Sequence, residues 1–349
     1  MDSLNVAGRR IGPGQPPYII AEIGANHNGD FALCRQLVDA AHAAGADAVK
    51  FQSWSKASLI SRAEYLRNAT YGGGRAGESL EDEVERYQLT ADQHHQIAAY
   101  CRNAGVTFFS SCFSEEEVDL LESLDVPAYK IASMDVNHIP LLERVARTGR
   151  PVFLSTGMAT LGEVERAVAT LTGNGAGPVV LLHCVSLYPT APADVNLRQL
   201  GMWRDAFGVP VGYSDHTLGS AVALAAVALG AVAIEKHFTL DRALPGWDHG
   251  ISIEPAELAA LVGDMRAVAA ALGSATRRVS EPERAQRARF RRRMVARHAL
   301  VRGARIGPDD VTFKRPGTGV QPDELRYVTG RAVIRDIAAE EELAWSDLS

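Results

Sequence analysis

The sequence predicts a (β/α)8 TIM barrel followed by a small β-rich domain, and three observations carry that prediction. Eight short apolar runs, each followed by a stretch of helical spacing, fill about the first 270 residues, close to the roughly 250 usual for such a barrel. Every run ends in polar or ionisable residues. Beyond position 294 the pattern changes to shorter β-type runs broken by Gly303, Gly307-Pro308, Pro316-Gly317, Gly319 and Gly330. The expected division is therefore a barrel over 1–272, a linker over 273–294 and a small domain over 295–349. So short a tail is near the lower limit for an independent core and is expected to dock on the barrel or on another subunit. A doubly wound open sheet is the competing architecture, but no Gly-rich dinucleotide turn follows the first strand.

After a polar start with turn signals at Gly8 and Gly12-Pro13, residues 18–24 (YIIAEIG) read as a buried strand ending in a carboxylate, Glu22. A loop over 25–30 leads into helical spacing over 31–44. Further strands are expected at 46–52, 106–111, 128–133, 152–155, 179–184, 210–214 and 232–237. Helices are expected near 92–105, 115–124, 139–148, 160–172, 195–206, 218–229 and 255–272. The regular spacing is interrupted between Ser53 and Thr90, a long polar stretch containing Gly72-Gly73-Gly74. Long loops in compact domains are usually functional, and this one reads as a lid over the barrel mouth.

Composition excludes several classes. An apolar fraction of 46% with 22% charged residues is ordinary for a globular enzyme. No run approaches the ~18 apolar residues of a membrane span, and the N-terminal segment lacks a signal-peptide core, so a cytoplasmic protein is expected. A net charge of -6 gives no reason to propose nucleic acid as a partner. Cys34, Cys101, Cys112 and Cys184 lack CxxC spacing and read as buried free thiols. Arginines crowd between Arg284 and Arg293, which reads first as a solvated basic linker. An interdomain contact, a subunit contact or attraction of an anion are the competing readings.

In a (β/α)8 barrel the active site forms where the strands end. The ends carry Glu22; Lys50 and Gln52; Ser110 and Ser111; Lys130, Ser133 and Asp135; Ser155-Thr156-Gly157; His183, Ser186 and Tyr188; Ser214, Asp215 and His216; and Glu235, Lys236 and His237. Lysines set inside the apolar VKFQ and YKIAS segments are costly to bury without an anion to meet. With a ring of serines they suit a phosphate and a carboxylate together. Parallel strands bring His216 and His237 to the same edge of the sheet, where they suit a borderline divalent metal with open positions for substrate oxygen. Together these features point to phosphoenolpyruvate and a metal-activated carbonyl.

The segments AEIGANHNGD, GADAVKFQ, PAYKIAS, LSTGM, LLHCVSLYPT, GYSDHT and EKHFTLDRALPGWDH resemble, in order and spacing, the sialic acid synthase family. The tail VARHALVRGARIGPDDVTFKRPGTG resembles the antifreeze-like (SAF) domain that ends those enzymes. The resemblance implies condensation of phosphoenolpyruvate with N-acetylmannosamine or a related amino sugar. It implies metal binding by His216 and His237, with manganese first and magnesium or cobalt as substitutes. Phosphoenolpyruvate contacts would come from Lys50, Ser111, Lys130, Ser133, Ser155, Ser186 and Ser214. Sugar contacts would come from Glu22, Tyr188 and Asp248, and from Arg315 reaching across a domain-swapped homodimer. The chemistry itself falls to Glu22, Lys50, Lys130 and Asp135, the last positioning the attacking water.

This chain departs from the family pattern at Asp135, where glutamate is usual, which shortens the carboxylate's reach by one methylene. Ser111 and Ser186 stand where threonine and asparagine are frequent. Trp247 replaces a proline beside Asp248, a change expected to reshape the sugar pocket. A 6-phosphorylated sugar, with Lys56, Arg62, Arg67 or Arg75 to meet its phosphate, and a diacetamido sugar both stay open as acceptors. A non-catalytic sugar- or ice-binding protein is the reading from a different class.

Overall fold

The computed structural model describes residues 3–68, 79–315 and 317–349. It divides into two compact units, Met1–Gly273 and Ser274–Ser349. The first opens with an antiparallel hairpin, β1 (Leu4–Val6) and β2 (Arg9–Ile11), which the polar character of the N-terminal segment concealed. Eight parallel strands follow: β3 (Tyr18–Gly24), β4 (Ala48–Ser53), β5 (Thr107–Cys112), β6 (Tyr129–Ile131), β7 (Val152–Ser155), β8 (Val179–Cys184), β9 (Val211–Asp215) and β10 (Ala233–His237). They close into a barrel in sequence order, with β10 hydrogen-bonded to β3. This is the (β/α)8 architecture expected from the alternating pattern.

Two cores hold the barrel. Outward-facing residues such as Ile19, Val49, Phe108, Leu154, Leu181 and Ile234 pack against the helix ring. Inward-facing residues at the strand starts, among them Tyr18, Ile20, Phe109, Phe153 and Leu182, fill the lumen with Leu4, Val6 and Ile11 of the hairpin. The hairpin thus plugs the end where the strands begin. Gly212 is required here, because a Cβ at that position would lie 2.6 Å from both the Ala233 carbonyl oxygen and Leu182 Cδ2.

The stretch 53–90 is not the long polar loop expected. Its described part forms three short helices, Lys56–Leu59, Arg62–Arg67 and Leu80–Tyr87, each started by a serine whose hydroxyl accepts a backbone N–H. Tyr65, Val84 and Tyr87 bury against Trp54 and Phe113 in an apolar cluster, with Trp247 packed onto it. Buried Glu117 anchors the segment by accepting from the Ser55 N–H (3.0 Å) and the Ser58 hydroxyl (2.5 Å). Gly72-Gly73-Gly74 lies outside the described residues.

In the second unit a helix, Glu281–Phe290, occupies the middle of the segment expected as a linker. Strands β11 (Arg293–Ala296) and β12 (Val311–Lys314) pair antiparallel, and further isolated bridges join Leu300 to Ile337 and Val333 to Leu348. Its own core gathers Met294, Leu300, Ile306, Val311, Val320, Val333 and Leu343. No helix among the described residues is long and apolar enough to cross a membrane.

Candidate active site

Successive residues of a strand point to opposite faces, so the inward parity that fills the lower lumen with apolar side chains also selects the groups above them. On β3 the series Tyr18, Ile20 continues to Glu22; on β4 Ala48 continues to Lys50 and Gln52; on β5 Phe109 continues to Ser111. On β10 it runs Ala233, Glu235, His237. These ends line a cavity of about 280 Å³ together with Lys130, Ser133, Ser155, Cys184, Ser186, Tyr188, Ser214 and His216.

The deepest layer is ionic. Lys50 Nζ lies 2.6 Å from Glu22 Oε2 and 3.8 Å from Glu235 Oε2, and donates to Ser111 Oγ at 3.2 Å. Lys130 Nζ lies 3.4 Å from Glu235 Oε1, which also accepts from the Ser214 hydroxyl at 2.9 Å. Gln52 Nε2 donates to the other oxygen of Glu22 at 2.8 Å. Two buried ammoniums therefore face two buried carboxylates. Burial pushes the Glu22 carboxyl up to about 7, with Lys50 opposing and Glu235 reinforcing the rise. At Glu235 burial is outweighed by Lys130 and Lys50, which hold it below the usual carboxylate range. Burial drives Lys130 below its ordinary value, against the pull of Glu235. At Lys50 the same burial is overcome by Glu22 and Glu235.

One further layer toward the mouth stand the two imidazoles, with ring centroids 5.4 Å apart. His216 Nδ1–H donates to the Val185 carbonyl at 2.8 Å, which leaves the Nε2 lone pair free. Burial keeps the His237 ring neutral by lowering its pKa, against Asp248, and its Nδ1 is buried without a hydrogen-bond partner. Two adjacent imidazoles of this kind fit a borderline divalent ion. Among the described residues no group of three or more His, Cys, Asp or Glu side chains is spaced to hold one, so the protein would supply two ligands and leave the rest to substrate or water. Tyr188, 55% exposed, lies over His216 with centroids 4.2 Å apart.

The NeuB family model matches residues 37–277, and the SAF domain model matches 291–349. The chain belongs to the NeuB family. Among its relatives, N,N'-diacetyllegionaminic acid synthase of Legionella pneumophila is 40% identical over 95% of this chain and 94% of that protein. Human N-acetylneuraminate-9-phosphate synthase is 35% identical over 96% and 93%. A crystal structure of N-acetylneuraminic acid (sialic acid) synthetase from Leptospira borgpetersenii in complex with citrate superposes with a TM-score of 0.73 at 33% identity, covering 82% of this chain and 95% of that one.

In this NeuB-family chain the structure gathers Glu22, Lys50, Ser111, Lys130, Ser133, Ser155, Ser186, Tyr188, Ser214, His216 and His237 around one cavity. Ser133 accepts the Gly157 N–H at 3.0 Å. A side chain at 157 would crowd Ser186 Oγ and Ser133 Oγ, so glycine there leaves both hydroxyls in their present positions. Ser155 Oγ is buried without a partner, as expected of a group reserved for a ligand.

Two expected residues of the first unit do not line the cavity. Asp135 ends a 3-10 turn, Ser133–Asp135, that points its carboxylate at His138 Nδ1, 3.4 Å away. Asp248 sits beside His237, with Oδ2 3.5 Å from Nδ1. Trp247 belongs to the aromatic cluster, with its ring centroid 4.9 Å from that of Tyr87 and 6.1 Å from that of Trp54. Arg315 lies in the second unit, over the Phe290 ring at 5.3 Å. The sequence reading assigned no role to Glu235, which bridges both lysines, nor to Cys184, which lies 3.9 Å from His216 Nδ1. Inward parity counted from His237 and Ser214 would have found Glu235.

Proposed function

We propose that this protein condenses phosphoenolpyruvate with the open-chain form of a neutral N-acyl amino sugar and water, giving a nonulosonic acid and phosphate. The observation that carries the reading is the pair of buried lysines, Lys50 and Lys130, beneath two adjacent imidazoles. The lysines, Ser155 and Ser214 suit the phosphate and carboxylate of phosphoenolpyruvate. Glu22 and Glu235 balance the ammonium charges until that anion arrives, whose negative charge then favours proton uptake by Glu22.

His216 and His237 would hold a divalent ion, manganese first, whose contribution when bound is to polarise the aldehyde oxygen. C3 of phosphoenolpyruvate bonds to the aldehyde carbon, and C2 becomes electron-poor. Glu22, titrating at about 7, gives its proton to the aldehyde oxygen and then takes one from the water that adds to C2. The tetrahedral carbon expels phosphate by C–O cleavage, so all atoms and protons are accounted for. Asp135, turned toward His138, has no part in this scheme.

Two of the four cations weighed for an acceptor phosphate are held by carboxylates, which supports a neutral acceptor; Arg75 lies outside the described residues. Lys56 is held by Glu81 (3.2 Å) and Glu85 (3.0 Å), and Arg67 by Glu64 (2.9 Å). The expectation of a domain-swapped homodimer, with Arg315 of a second copy completing the site, is supported by exposed apolar side chains on the mouth loops: Met134, Met158, Leu187, Tyr188 and Leu218. Four buried free thiols suit a cytoplasmic location.

One experiment tests the reading. Phosphoenolpyruvate labelled with oxygen-18 in the bridging position is supplied with neutral or 6-phosphorylated hexosamines, with the metal chelated and then restored. Keto acid is expected only with metal and a neutral acceptor, with the label leaving in phosphate. Label retained in the keto acid, or turnover that survives chelation, refutes the mechanism.

A further inference from the structure

The site residues face into the barrel, but the residues immediately before them on β9 and β10 face outward and are also charged. Asp215 and Lys236 are direct register partners at the last rung of the β9–β10 ladder. One outward rung earlier the pair is Tyr213 and Ile234, so an ionic rung replaces an apolar one just where the two histidines emerge.

The pair is buried and closely satisfied. Asp215 is 1% exposed and Lys236 4%, and Lys236 Nζ lies 2.7 Å from Asp215 Oδ2. The other carboxylate oxygen accepts from the Thr217 N–H (2.8 Å), the Thr217 hydroxyl (2.7 Å) and the Tyr213 hydroxyl (3.1 Å). Lys236 Nζ also donates to the Thr217 carbonyl at 2.7 Å. His216 lies between Asp215 and Thr217, and His237 directly follows Lys236. Every one of these bonds therefore fixes backbone next to an imidazole.

A buried ion pair contributes little stability compared with apolar residues of similar volume. Its directional bonds do restrict geometry, and here they tie the end of β9 to the end of β10 from outside the barrel. We infer that Asp215 and Lys236 are a positioning pair that sets the separation and orientation of His216 and His237 for divalent-metal binding. Neither side chain lines the cavity. The inference rests on the metal role proposed above for the two histidines.

The test is Mn2+ binding to the full-length protein, read from the spin-resonance signal of free Mn2+, with thermal unfolding measured in parallel. The variants are Asp215→Asn and the pair Asp215→Asn with Lys236→Met, the second removing both charges so that no lone charge is left buried. In the paired variant a folded protein with Mn2+ affinity weakened about 10–100-fold is expected, the size typical of lost outer-shell support. A pair that only stabilised the fold would lower the melting temperature and leave Mn2+ affinity within about threefold of wild type; that result overturns the inference. A wild-type protein that takes up no Mn2+ overturns the metal role itself, and the inference with it.

Discussion

Replacing Glu235 by glutamine leaves two buried ammoniums with one carboxylate. At an effective dielectric constant of about 20, the charge pairs at 3.4 Å and 3.8 Å are each worth roughly 4–5 kcal/mol of Coulomb attraction. The glutamine carbonyl and Glu22 return part of this, and breaking one side of a buried pair usually costs about 3–5 kcal/mol. At roughly 2 °C per kcal/mol for a unit of this size, the melting temperature should fall by about 6–10 °C. Lys130, already held down by burial, loses the carboxylate that opposes that effect. Its folded-state pKa falls further below the unfolded value, so the unfolded chain binds more protons in that window and stability rises with pH. Inorganic phosphate should restore more stability to the variant than to wild type by replacing the missing negative charge. Scanning calorimetry across pH, with and without phosphate, measures all three effects. A melting temperature within about 2 °C of wild type, with an unchanged pH slope, would refute the account of this cavity as a balanced set of buried charges.

Three further predictions follow from other parts of the molecule. In Glu22→Gln, kcat should drop by about 10²–10⁴-fold, and the limb on which activity falls as pH rises through about 7 should vanish from the pH profile, because the protonated carboxyl is the reactive form; a limb that persists assigns the proton to another group. Gly212→Ala, whose Cβ would lie 2.6 Å from the Ala233 carbonyl oxygen, should cost about 1–3 kcal/mol or more by circular-dichroism melting; an unshifted melt would contradict the close packing of the lumen. Arg315→Ala should raise KM for the acceptor roughly 10–100-fold, as for a lost charged hydrogen bond, with Mn2+ affinity unchanged; an unaltered KM would remove Arg315 from the site.

The alternation of apolar runs was enough to read the barrel, because each run has to bury between a packed lumen and a helix ring. Lys50, Lys130, His216 and His237 were legible for a related reason, since such groups are rare inside apolar strands. What the sequence reading lacked was parity. It grouped Ser110 with Ser111 and Asp215 with Ser214, although neighbours on a strand face opposite ways. Ser110 bonds Ser53 at 2.7 Å on the outer side, while Ser111 meets Lys50. Asp135 lies just beyond β6, where a 3-10 turn aims its carboxylate at His138, a direction that strand parity does not predict. The hairpin escaped notice because only Leu4, Val6 and Ile11 of its residues face the core. Trp247 was expected to reshape the sugar pocket; its aromatic partners, Trp54 and Tyr87, come from a segment 160–193 residues away, beyond the reach of local pattern.

The hairpin at the bottom of the barrel makes the active site a cul-de-sac. Glu235 and the lysines it bridges lie one inward step, about 6–7 Å of strand, deeper than His237. In the proposed reaction the inorganic product would then be released at the blind end, with the sugar acid between it and solvent. Traffic through such a passage would be ordered by position: the three-carbon anion entering first, the sugar following, the sugar acid departing, and phosphate leaving last. Phosphate should accordingly compete with phosphoenolpyruvate for the free enzyme, while the sugar acid should not.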